Sequence, residues 1–217
     1  MDPLFFVKSS EHAARTEIRA KYIVLAEGQD DLYFLDETLK ELDADPSVVQ
    51  TMNYGGAGEL PFFISSILKN DRVFYGDVKG LFVTGDADTF PAHKYKINKV
   101  LKLAGLPEFE HGQNTFQVPL VGRLGFHLLP DATDGNLETL LLRTVENVPA
   151  ALGARKFVED HHKDRSPKND KRVATVYLAT QPQLCRGSGQ GARRGFFNMK
   201  HAAMDDLKAQ LKMFITA

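Results

Sequence analysis

An α/β fold, with a mainly parallel sheet covered by helices on both faces, is what this chain predicts, and two observations carry the prediction. Short apolar runs rich in strand formers, at 22–26, 47–54 and 78–84, alternate with segments whose apolar residues recur at helical spacing. The runs are too apolar to be half-solvated, as strands buried on both faces must be. Each run also ends on a break built from glycine or acid: Glu27-Gly28, Gly55-Gly56-Ala57-Gly58 and Gly85-Asp86-Ala87-Asp88. Right-handed crossovers carry the C-terminal ends of such strands to one edge, where open α/β sheets keep their sites.

The elements follow in order. Residues 1–20 read as a short lead-in, with Leu4-Phe5-Phe6-Val7 as a candidate extra strand. After the first strand a helix opens at Asp30, with Leu32, Leu35 and Leu39 on its apolar face. A second helix covers 59–69, where Pro61 fits only the first turn. A third covers 94–103 and is stopped by Gly105 and Pro107. Two short strands are expected at 116–121 and 125–129, then turn formers from Pro130 to Asn136, then a helix from Leu137. Residues 149–182 read as two helical pieces joined by the charged loop HHKDRSPKNDKR. Residues 184–195 read as a glycine- and arginine-rich loop, and 198–215 as a closing helix. The expected organisation is an α/β core over 1–148 with a helical, basic C-terminal extension over 149–217 packed on it.

Composition narrows the function classes. The 217 residues suit one large domain, and no apolar run reaches the ~20 residues that span a bilayer, so no membrane partner is expected. One cysteine, Cys185, excludes an internal disulfide framework and points to a reducing, cytoplasmic setting. The net charge of −1 hides an asymmetry: residues 1–150 carry 14 basic against 22 acidic side chains, and 151–217 carry 13 against 6. An acidic first part beside a basic last part suits a metal–carboxylate centre with an arm that docks a polyanion; an uneven surface charge is the plainer reading.

Glu27, Asp31, Asp86 and Asp88 are the residues that would crowd the sheet edge. Four like charges within a few ångströms repel by several kcal/mol, roughly, at intermediate dielectric, so a counter-charge or protonation is required. Mg²⁺ or Mn²⁺ meets that need with carboxylate oxygens while keeping waters for a phosphate to replace. No Cys/His cluster at ligand spacing suggests zinc. Asp86 and Asp88, two apart in an extended segment, would point to the same side. The alternative is that these acids only cap helices and turns, which is the preferred reading for Asp30. Gly55-Gly56-Ala57-Gly58 is either a tight turn or a phosphate-facing helix start. Arg186, Arg193 and Arg194 lie in a stretch that suits phosphate-backbone contact or a solvated loop.

The strand-end glutamate and the strand-end Asp-x-Asp together resemble the toprim domain. More narrowly, EGQDD before a leucine helix, then VTGDAD, GFHLLPDATDGNLETLLL and KRVATVYLAT, resemble the toprim of the overcoming-lysogenization-defect (OLD) nucleases and their stand-alone relatives. The resemblance covers most of 21–182. It implies a toprim-like, Rossmann-like fold and hydrolysis of phosphodiesters in DNA or RNA with Mg²⁺ or Mn²⁺, at one or two ions, in a cytoplasmic, antiviral-defence setting. By position it implies metal ligation by Glu27, Asp31, Asp86, Asp88 and Glu138, an acid/base role for Glu27, and Lys171 beside the scissile phosphate, with Lys168 as second choice. Lys168 is also counted, with the three arginines, among nucleic-acid contacts. The large ATPase domain of OLD proteins is absent from these residues, so the resemblance leaves room for an ABC-type ATPase partner in trans and for a homo-oligomer. Two other functions stay open: a non-hydrolytic nucleic-acid-binding or regulatory subunit, and a phosphotransfer enzyme acting on a small phosphate substrate.

Overall fold

The computed structural model describes residues 18–216, apart from 57, 75, 89, 104, 109–113, 119, 120, 132 and 163–166. The candidate strand at 4–7 lies outside these residues. Five strands form one sheet in the order β2-β1-β3-β5-β4. They are β1 (Tyr22–Ala26), β2 (Val49–Asn53), β3 (Gly80–Asp86), β4 (Asn114–Val118) and β5 (Gly122–Leu129). The first four neighbours in that order run parallel, and β4 is an antiparallel edge strand on β5. The α/β fold with a mainly parallel sheet is therefore the one expected. The parallel register sets Val24 beside Thr51 and Phe82, and Asp86 beside Leu129.

Alternation along each strand feeds two cores. Val24, Ala26 and Phe82 belong to one face, while Ile23, Leu25, Leu81 and Val83 belong to the other. On the second face lie α2 (Leu60–Leu68) and α4 (Phe90–Leu103), with the one-turn α3 (Asp71–Phe74) between them. On the first face lie α1 (Gln29–Glu41), α5 (Leu137–Arg143), α6 (Pro149–His161), α7 (Pro167–Ala179), α8 (Ser188–Arg193) and α9 (Asp205–Thr216). Phe214 of α9 reaches the sheet centre, 5.2 Å from the Phe82 ring and 5.5 Å from Tyr22. Leu32, Phe34, Leu35 and Leu39 of α1 are fully buried in that core. Each such side chain contributes roughly 1.5–3 kcal/mol by leaving water.

Two segments differ from expectation. The charged stretch read as a loop joins the helix early: α7 starts at Pro167, so Asp170 and Lys171 stand in its first turns. The glycine- and arginine-rich stretch contains α8, which packs on α1 rather than remaining a loop. The reason is steric. A Cβ at Gly189 would lie 1.8 Å from the Asp30 carbonyl oxygen, and one at Gly187 would lie 2.6 Å from the Asp30 carboxylate. These glycines admit close helix approach, and Gln190 N–H then donates to Asp30 Oδ1 at 3.2 Å.

Candidate acidic site at the sheet edge

The C-terminal ends of β1 and β3 lie side by side, and their following residues converge. β1 runs out at Ala26; Glu27 follows, and Gly28 caps α1. Asp31, in the third helical position, turns back so that its Oδ2 accepts the Gly28 N–H at 2.8 Å. This is the return half of a capping box, and it fixes the Asp31 carboxylate at the head of α1. From β3, the Asp86 N–H donates weakly to Glu27 Oε2 at 3.4 Å. Gly85 makes this approach possible, since a Cβ there would stand 2.7 Å from the Tyr54 hydroxyl and 3.3 Å from Glu27 Oε2.

Asp86 is the centre of the arrangement. Its Oδ1 accepts the Leu137 N–H at 2.9 Å, which ties it to the first turn of α5. Its Oδ2 lies 3.3 Å from Lys171 Nζ on α7. Even so, burial holds the Asp86 carboxyl above its ordinary value; Lys171 and Leu137 offset only part of that cost, and Asp88 adds to it. Lys171, which burial alone would lower, is raised by Asp86 and Glu138. Glu138 is also raised, by burial first and by Asp86, while Lys171 and the Ser188 hydroxyl, donating at 3.1 Å, pull it back.

Asp31 is strongly perturbed. Burial, then the charges of Asp86, Glu27 and Asp30, push it up to about 8 against the Gly28 hydrogen bond. A carboxyl with such a pKa carries its proton at neutral pH until a cation arrives. Below the acids, the Tyr54 hydroxyl donates to the Thr84 carbonyl at 2.8 Å. Burial and the same three acids, Glu27, Asp31 and Asp86, raise its pKa well above the usual phenol value.

Of the residues expected at this edge, Glu27, Asp31, Asp86, Glu138 and Lys171 are brought into one electrostatic neighbourhood. Asp88 is a partial exception. The extended backbone ends at Asp86, and Asp88 adopts φ 47°, pairing its backbone N–H with Gly135 O at 2.7 Å. The two-residue alternation that would align Asp86 with Asp88 therefore does not run through, and Asp88 is exposed. It still bears on both Asp86 and Lys171 through its charge.

Of the expected phosphate arm, Arg193 is engaged with neighbouring side chains, while Arg186 and Arg194 are exposed. Arg193 sits 5.4 Å over the Tyr33 ring and 3.9 Å from Glu37. Arg194 donates to the Leu184 carbonyl at 2.8 Å. Arg186 is exposed, and its backbone N–H is held by Gln190 Oε1 at 2.8 Å. Lys168 lies in the first turn of α7. In the glycine run after β2, the Gly56 N–H donates to the Glu27 carbonyl at 3.0 Å, so this backbone serves the turn that orders the end of β1.

Sequence reasoning missed three participants. Tyr54 and Ser188 reach the acids only through tertiary packing, and no local signal marks them. Asp170 accepts the Thr139 hydroxyl at 2.7 Å and links α7 to α5, which seats Lys171 beside Glu138. Pro167 as a helix-start residue is the signal that would have placed Asp170 and Lys171 on a helix.

Chemically, buried carboxyls facing the Lys171 ammonium can share protons or take up a hard cation. Among the described residues no group of three or more His, Cys, Asp or Glu side chains is placed to hold a metal ion. Mg²⁺ needs none, because it binds through one or two carboxylates and keeps its waters. The oxygen donors here are of the kind such an ion prefers, and burial raises the carboxyls of Asp31, Asp86 and Glu138.

Fold and edge together define a class: a parallel α/β sheet with buried carboxyls gathered where the strands end. The chain belongs to the DUF3226 family, described as a protein of unknown function, which matches residues 21–216 and so takes in the sheet and the C-terminal helices alike. No curated protein and no solved structure matches the chain. Among the described residues no helix is long and apolar enough to cross a membrane.

Proposed function

We propose that this protein is a toprim-type nuclease that hydrolyses phosphodiester bonds of DNA or RNA with Mg²⁺ or Mn²⁺. The observation that carries this reading is the position of Asp86, which gathers Glu27, Asp31, Glu138 and Lys171 around one strand end. The order of these residues in the chain matches the toprim pattern of a strand-end glutamate, a strand-end Asp-x-Asp and a later helix-borne glutamate. A role in a defence system with an ATPase partner in trans extends the same resemblance.

A divalent cation bound here would acidify a water nucleophile and neutralise charge on the scissile phosphate. The chain's own groups do the rest. Asp86 and Glu138 anchor the edge, and Asp31 gives up its proton when the cation arrives. Glu27, beside the Asp86 backbone, accepts the proton of the attacking water. Lys171 leaves Asp86 Oδ2 for a non-bridging phosphate oxygen, exchanging one anionic partner for another.

The test is cleavage of supercoiled plasmid and of a mixed tRNA pool, with Mg²⁺, Mn²⁺ or EDTA, by wild type, Glu27→Ala and Asp86→Ala. The expected result is cation-dependent cutting of at least one substrate, lost in both variants. Cutting that survives EDTA, or that both variants retain, would contradict the reading. Steep weakening with rising salt would favour a polymer over a small phosphate substrate.

A further inference from the structure

A cavity of about 670 Å³ opens beside the acidic edge, between the head of α1, α7 and the segment leading into α8. Glu138 and Lys171 line it and also belong to the acidic centre, so whatever fills the cavity adjoins a phosphate bound there. Its chemistry differs from that of the acids. Tyr33, Leu178, Ala179 and Leu184 supply apolar surface. The Tyr33 ring is already steadied by the Arg193 guanidinium, and Leu184 is 82% exposed at the wall. The charged groups of the lining balance in sign, Asp30 and Glu138 against Lys171 and Arg186; the Asp30 carboxylate is occupied by the Gln190 N–H, and Arg186 stands exposed.

Such a lining does not suit a second phosphate, which would demand net positive charge. An apolar patch with an aromatic ring, beside polar groups of balanced charge that can hydrogen-bond a ring edge, suits a flat, neutral ring system, and the volume falls in the range of small-ligand sites. We propose that the cavity binds the nucleobase of the nucleotide flanking the phosphodiester at the acidic edge, unstacked from its strand, with Lys171 and Arg186 on the adjoining backbone. This rests on the nuclease reading and adds a substrate class to it: single-stranded or locally opened nucleic acid, because a paired base cannot enter. Base contacts with protein apolar and aromatic surfaces are sequence-tolerant, so the pocket selects strand state rather than sequence.

The experiment uses fluorescent ten-residue oligo-dT and oligo-U with Ca²⁺ in place of Mg²⁺, and oligo-dT carrying one abasic site moved stepwise along the strand. Variants are Leu184→Ala and the cavity-filling Ala179→Trp, both at exposed positions that leave the core untouched. Wild type is expected to lose about tenfold in affinity when the abasic site falls at one position, as removal of one base contact does. Both variants should bind intact oligonucleotide about as weakly as wild type binds that abasic strand, with Mn²⁺ binding unchanged. Affinity indifferent to the abasic position, or unaltered in both variants, overturns the base pocket while metal-dependent cutting still stands. Absence of binding to any oligonucleotide, together with absence of cutting, overturns both readings.

Discussion

Asp86 ends β3 and Asp131 follows β5, neighbouring parallel strands at the same sheet edge, yet physics treats the two acids oppositely. Asp131, two residues beyond β5, is paired with Arg143 at 2.6 Å and accepts from the Thr133 hydroxyl and N–H. Burial would raise its carboxyl, but those partners outweigh it and hold it below the ordinary value. Asp86 has an ammonium at 3.3 Å and a backbone N–H, and its carboxyl is still raised, because burial and neighbouring acids win. An aspartate after a strand is thus either consumed by its own turn or left wanting a cation. Only the count of partners against the depth of burial separates the two.

The comparison is broken or sharpened first by activity. In the plasmid and tRNA cleavage assay, Asp86→Asn is expected to lower the rate on the order of 10²–10⁴-fold, the scale of a group acting in the reaction itself. Asp131→Asn should leave cleavage intact and cost no more than about 1 kcal/mol of stability in urea unfolding, as a half-exposed ion pair does. Equal losses of activity would erase the distinction between the two strand ends.

Lys171 tests the same contrast from the cation's side. Lys171→Met removes the ammonium that competes with a metal for Asp86 Oδ2. Mn²⁺ should bind more tightly to this variant, while cleavage slows by roughly ten- to a hundredfold because the phosphate loses its positioning partner. Weaker Mn²⁺ binding would mean that the lysine organises the site rather than holding it for a metal.

A smaller effect appears in the pH dependence of stability without metal. Asp31 has an ordinary value of 3.8 when unfolded and about 8 when folded, so between these values the native state holds the extra proton. Stability should therefore be greatest below pH ~4, as far as this group is concerned, and fall as pH rises toward 8. Thermal melts from pH 5 to 8.5 should show that decline, Mg²⁺ should reduce it, and Asp31→Asn should flatten it. An unchanged slope in Asp31→Asn would place the effect elsewhere.

Much of this was legible in the sequence, for physical reasons that differ by element. The runs 22–26 and 78–84 are apolar because both faces of those strands are buried, so their place and their terminal acids could be read directly. Glu138 came from the resemblance by its position, and it stands in the first turn of the helix that Asn136 caps. α8 could not be read, because its glycines suggest freedom until the Asp30 backbone is seen against Gly189. For the same reason the contacts of Arg193 with Glu37 and of exposed Arg194 with the Leu184 carbonyl could not be read from the sequence. The backbone of Asp88 could not be read, because its left-handed conformation, held by Gly135, breaks the alternation that a strand would keep. Local pattern reports burial well, and reports poorly which polar groups tertiary contacts will claim.

The central claim, that the Asp86 edge is a cation site, is tested most directly by titrating the protein with Mn²⁺ at pH 7 in two buffers of different ionisation enthalpy. The calorimetric difference between buffers counts protons released. Saturable binding that releases protons, and that is lost in Asp86→Asn and retained in Asp131→Asn, is the result predicted. No binding, or binding that Asp86→Asn leaves unchanged, would contradict it.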